Sequence, residues 1–92
     1  MEITRSNEHS RYELREDGAV HATLAFTERD GVTFLTYSYT EPAQRGRGLA
    51  ARLVEFAIAD ISRDPERRIT PTCGYVRGWF ANHPEHQGLL AS

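Results

Sequence analysis

Lysine is absent from the chain: all eleven basic residues are arginine. A lysine Schiff base, a lysine general base and a phosphate loop of the G-K-[ST] type are thereby excluded. Cysteine is nearly absent as well. Cys73 stands alone, which rules out an internal disulfide framework and fits a reducing compartment. No apolar run approaches the roughly 20 residues that a bilayer-spanning helix needs. The start, Met1-Glu2-Ile3-Thr4-Arg5, has neither a basic region leading into an apolar one nor an Arg-rich transit pattern. A cytoplasmic protein without membrane contact is expected. There is no basic block either, and the net charge is −2, so no nucleic-acid footprint is visible. The 92 residues leave room for one domain, spanning 1–92.

Within that length the elements can be read off in order. Arg11 to Glu16 alternates Tyr12 and Leu14 with charged neighbours and meets Asp17-Gly18, a dipeptide suited to a tight hairpin. Val20, Ala22, Leu24 and Phe26 then recur at period two before a second turn at Asp30-Gly31. Val32 to Thr40 is β-branched and aromatic on both faces, which predicts a central strand covered on both sides. Leu49, Ala50, Leu53, Val54, Ala57, Ile58 and Ile61 follow a helical spacing, predicting about four turns. Arg68 to Cys73 predicts a short strand whose Pro71 must face an unpaired edge or a gap. Val76, Trp79 and Phe80 predict a short helix over Tyr75–Asn82, ended by His83-Pro84. The remaining residues are expected at the surface. Three antiparallel meander strands, a glycine loop, a long helix, a fourth strand and a short helix make an α+β protein.

Arg45-Gly46-Arg47-Gly48 lies where the strand passes into the long helix. Two glycines let the backbone approach a ligand, and the first amides of a helix have no partner inside it, so they face outward at the positive end of the dipole. An anion is the natural guest, and a pyrophosphate engages several amides at once. Gly46 to Ala51 also matches the dinucleotide pattern G-x-G-x-x-A. That fold needs a parallel strand before the loop and an acid at the end of the next strand. Here hairpins precede the loop and the next strand ends Pro71-Thr72-Cys73.

The same loop resembles the GNAT acetyltransferase signature R/Q-x-x-G-x-G/A, with Arg45, Gly48 and Ala50 in the defining places. The chain is similar, further, to a subfamily of small single-domain GNAT-like proteins through Ile69-x-Pro71-x-Cys73-x-Tyr75-Val76 and His83-Pro84-Glu85. It departs from that pattern where Tyr37-Ser38 replaces a His-Thr pair, Thr40 a valine and His86 a tyrosine, and it lacks the helices that follow the first strand in larger relatives. The resemblance implies a GNAT-like fold whose fourth strand splays from the third. It implies acetyl-CoA or coenzyme A as cofactor, its pantetheine arm between the splayed strands and its pyrophosphate on the loop. Tyr39, Thr40, Arg45, Gly46, Arg47, Gly48, Leu49 and Ala50 are then the cofactor-binding candidates. Tyr75 is implied as proton donor to the leaving thiolate, Tyr37 or a water held by Glu41 as aid to deprotonation, and Cys73 as an acyl carrier. The acceptor is an unidentified amine or protein, and the assembly is expected to be a monomer or weak homodimer.

The other reactive residues read more plainly. Free cysteine often serves as a small apolar side chain. His83, His86 and Cys73 lack a suitably spaced fourth ligand, so no metal is expected. His9 and His21 are expected exposed, and Trp79 and Phe80 are read as core anchors.

Overall fold

A computed structural model describes residues 1–91. Five strands, β1 (Glu2–Ser6), β2 (Arg11–Glu16), β3 (Ala19–Arg29), β4 (Val32–Thr40) and β5 (Arg68–Pro71), form one sheet in the order 1-2-3-4-5. There are two helices, α1 (Leu49–Ile61) and α2 (Gly74–Ala81), with a 3₁₀ turn at Pro42–Gln44 before the first and another at Pro84–Leu89 after the second. The β2–β3 and β3–β4 hairpins turn on the two Asp-Gly pairs. Asp17 and Gly18 have φ of 51° and 79°, Asp30 and Gly31 of 53° and 79°, the double positive φ of the turn that matches strand twist. β1 was not legible: its one apolar residue, Ile3, gives no alternation, yet the strand pairs antiparallel with β2 from Glu2↔Arg15 to Ser6↔Arg11.

Tyr12, Leu14, Ala22, Leu24, Phe26 and Leu35 point to one face of the sheet and are buried under α1, which contributes Leu49, Leu53, Val54, Ala57, Ile58 and Ile61. Ile69, Val76, Trp79 and Phe80 extend the same core from β5 and α2, so both helices lie on one side. The opposite face carries Tyr37 and Tyr39, which remain 60% and 40% exposed. β4 is therefore not covered on both sides as its composition suggested. Aromatic and β-branched residues there face solvent because no second helical layer exists among the described residues.

Two polar clusters anchor the sheet. The buried Tyr12 hydroxyl donates to Asp60 of α1 at 2.8 Å and accepts from Arg5 at 3.1 Å. Burial, and then Asp60, push its phenol well above the ordinary tyrosine range. Hydrogen bonds to charged groups contribute about 1.5–3 kcal/mol; Tyr12→Phe is expected to reach the lower part of that range, because Asp60 is part-exposed. Thermal unfolding of the variant, which keeps the ring that packs on Phe26 at 5.3 Å, checks this. On the bare face, Glu13 is clasped by Arg11 at 2.7 Å and Arg15 at 2.6 Å, and these guanidinium groups hold its carboxyl below the usual range.

The register between β3 and β4 slips between Ala25↔Tyr37 and Phe26↔Leu35, so Thr36 is an extra residue, a bulge. There β5 leaves. It runs parallel to β4 only from Val32↔Arg68 to Leu35↔Pro71. The amides of Thr72 and Cys73 then both donate to the Leu35 carbonyl, at 3.0 and 3.2 Å. Beyond this point Thr36–Thr40 has β3 on one side and no strand on the other, which is the splay. Pro71 fits for a different reason than a gap between the strands. The Ile69 carbonyl accepts from Ala91 at 2.9 Å while the Thr72 amide faces Leu35, so by alternation residue 71 faces the outer edge. The chain end also departs from expectation: Leu89 and Leu90 pack on the core, and Leu90 bridges Ile69.

Candidate functional site

The loop after β4 is built by local hydrogen bonds. The Glu41 amide donates to the His21 carbonyl at 2.9 Å, and Gln44 and Arg45 amides close back on the Glu41 and Pro42 carbonyls. Gly46 and Gly48 follow with φ of 86° and 74°, angles an L side chain adopts only under strain. Gly48 is also the residue that caps α1. It offers no side chain to the helix amides, and no acidic residue stands in the first turn. The first bond into the helix runs from the Arg52 amide to the Gly48 carbonyl at 3.2 Å. Among the described residues, the amides of Gly46, Arg47, Gly48, Leu49, Ala50 and Ala51 therefore have no acceptor. Orphan donors at a helix start with no acidic side chain in its first turn are the kind of group to which anions bind.

A cleft of about 200 Å³ opens over these amides, lined by Thr40, Gln44, Arg45, Gly46, Gly48, Leu49, Ala50 and Tyr75. Tyr75 comes from the first turn of α2, far away in sequence, and is 45% exposed. Burial first, then the Glu55 carboxylate, raises its phenol above the ordinary value, so it keeps its proton at neutral pH. Leu49 is 2% exposed, which leaves its amide rather than its side chain to face the cleft.

Arg45 and Arg47 are placed differently. The Arg45 Nε donates to the Thr40 carbonyl at 3.2 Å, folding the guanidinium over the strand end beside the cleft. Arg47 turns the other way, onto Glu16 at 2.7 and 3.0 Å and onto Gln44. This pair holds the Glu16 carboxyl below its usual range and fastens the loop to the β2–β3 hairpin. His21 stands behind it, 15% exposed rather than on the surface as expected, with Nε2 3.7 Å from Glu16 and Nδ1 3.7 Å from Glu41. It occupies the residue skipped where β2 and β3 change register between Leu14↔Ala22 and Arg15↔Val20, and such bulges have no signature in composition.

The other candidates lie outside the cleft. Cys73 is part-buried against the core at the point where β5 leaves β4. Tyr37 and Tyr39 project from the bare face. Gln44 was missed, although its place between Pro42 and Arg45 already put it in the loop; Glu16, thirty-one residues from Arg47, gave no local signal.

A family model described as GCN5-related N-acetyl-transferase matches residues 11–89. No curated protein sequence matches the chain. Among solved structures, the chain is similar to the ribosomal-protein-alanine N-acetyltransferase from Brucella melitensis biovar Abortus 2308, with a TM-score of 0.59 and 16% identity. The likeness covers 89% of this chain and 63% of that one, so the present chain spans under two thirds of that enzyme's length. At this identity the likeness concerns the fold alone. With a match over most of its length, the chain belongs to the GCN5-related N-acetyltransferase family.

Proposed function

We propose that the protein is an acetyl-CoA-dependent N-acetyltransferase whose cofactor diphosphate rests on the loop from Arg45 to Ala50. The observation that carries this reading is the run of acceptor-less amides around two positive-φ glycines at an uncapped helix start. Their number and arrangement fit a diphosphate better than a carboxylate. The open side of β4 beyond Leu35 fits an extended pantetheine arm, which pairs with strand backbone as a neighbouring strand would.

When bound, acetyl-CoA supplies an acyl carbon activated as a thioester. Transfer to an amine forms an N–C bond, breaks the C–S bond, removes a proton from nitrogen and delivers one to sulfur. Tyr75, protonated at neutral pH and on the cleft wall, is assigned this delivery to sulfur. The amine proton is assigned to a water held by the Glu41 carboxylate, or to a relay through the Tyr37 hydroxyl to solvent. Cys73 at the strand divergence is the candidate for a covalent route in which its thiolate takes the acyl group and passes it on.

Titration calorimetry with coenzyme A tests the binding half. Arg45→Ala is expected to weaken binding about tenfold or more, the loss of a charge-assisted hydrogen bond. Arg47→Ala should weaken it far less, since its guanidinium is committed to Glu16. The reverse ranking would remove Arg45 from the phosphate site. For the covalent route, incubation with labelled acetyl-CoA should yield an acyl adduct by intact mass that Cys73→Ser abolishes; full turnover without an adduct leaves the direct route. Tight coenzyme A binding without thiol release in the presence of any amine would mark a binding module rather than an enzyme.

A further inference from the structure

We propose that the groove between α1, α2 and the C-terminal 3₁₀ turn is a second ligand site that takes a small organic cation, an alkylammonium with a short apolar body. This groove encloses about 510 Å³ and shares no lining residue with the loop cleft of about 200 Å³. Its volume falls within the roughly 300–1,000 Å³ of small-molecule sites. Two carboxylates line it from different elements, Glu55 of α1 and Glu85 of the 3₁₀ turn. Neither has an ion-pair or hydrogen-bond partner among the described residues. No arginine lines the groove, in a chain with eleven of them.

The remaining walls suit the same guest. Trp79 lines the groove and is fixed by stacking, with His83 at 3.8 Å and 9° and His86 at 5.5 Å and 26°. Ile58 and Leu89 supply apolar surface. Two carboxylates repel an anion. A neutral apolar ligand would strip water from both carboxylates and return nothing. A cation with a hydrocarbon body answers both: its charge meets Glu55 and Glu85, and its methylenes cover the aliphatic side chains. The inference does not depend on what binds the loop cleft. The two sites are nevertheless mechanically close, because Tyr75 and Trp79 sit one turn apart on α2 and face the cleft and the groove respectively.

Trp79 is the chain's single tryptophan, so its emission reports on the groove directly. The probe is 1,5-diaminopentane, titrated at constant ionic strength and at a pH well above the ordinary imidazole range, with pentane-1,5-diol as neutral counterpart. A saturable change with the diamine and none with the diol is expected. The double variant Glu55→Gln, Glu85→Gln should raise the half-saturation concentration at least tenfold while its circular dichroism stays native. Absence of saturation, an equal response to the diol, or undiminished affinity in the double variant would each overturn the proposal.

Discussion

Gly48→Val is expected to lower coenzyme A affinity by two orders of magnitude or more. A side chain at this position meets no atom within 4 Å, so crowding is not the cause. The cause is the backbone. Gly48 sits at φ 74°, where a β-branched residue is a genuine outlier, with a strain of order 1–3 kcal/mol. The loop relieves that strain by rotating, and the Leu49 and Ala50 amides rotate with it. Each charge-assisted hydrogen bond to a phosphate lost in this way is worth about 1.5–3 kcal/mol, so two of them amount to roughly 10²-fold to 10⁴-fold. Gly48→Asn separates this account from a simple need for space, because asparagine tolerates the left-handed region; it should retain affinity within about tenfold. Equal losses in both variants would contradict the argument, and titration calorimetry alongside a thermal melt reads the two effects separately.

Phe80→Ala carries the largest expected effect on stability. Phe80 is 2% exposed, its ring stands edge-on to Trp79 at 5.3 Å, and its carbonyl accepts from Gln87 at 2.6 Å. Truncating such a ring typically removes about 3–5 kcal/mol, against a total of about 5–14 kcal/mol for a domain of this length. The melting temperature should drop by roughly 12 °C or more. The variant is also expected to loosen α2 before the sheet, since Val76, Trp79 and Phe80 are the residues by which α2 is buried. Hydrogen exchange that rises uniformly through β2 and β3 as well would show instead that helix and sheet unfold as one unit.

How far the sequence could be read depended on whether a feature was local. The hairpins were legible because Asp-Gly supplies two consecutive positive φ angles, and these are the values found at Asp17-Gly18 and Asp30-Gly31. α1 was legible because its six buried residues repeat at helical spacing over thirteen positions. The conformation of the loop was legible because two glycines at a strand-to-helix junction supply positive φ angles, the values found at Gly46 and Gly48. β1 was not, since Ile3 is the one apolar residue on its inward face, shared with Arg5, and its place is set by pairing with β2. The bulge at Thr36 was not either: it is defined by the register of two strands, and threonine in a strand looks like any other. The orientation of Arg47 depended on a carboxylate across the fold, and the groove beside Trp79 on three elements that meet only in space.

The placement of both helices on one side of the sheet bears on water. A thioester lying where β5 departs from Leu35 would be roofed by α1 and α2 and left open beneath, past Tyr37. Enzymes that enclose their reaction centre suppress hydrolysis with their own walls. In an enzyme of this build that shielding would fall to whatever seats itself against the bare face, and an acceptor bound there would itself be the lid that keeps solvent from the acyl group.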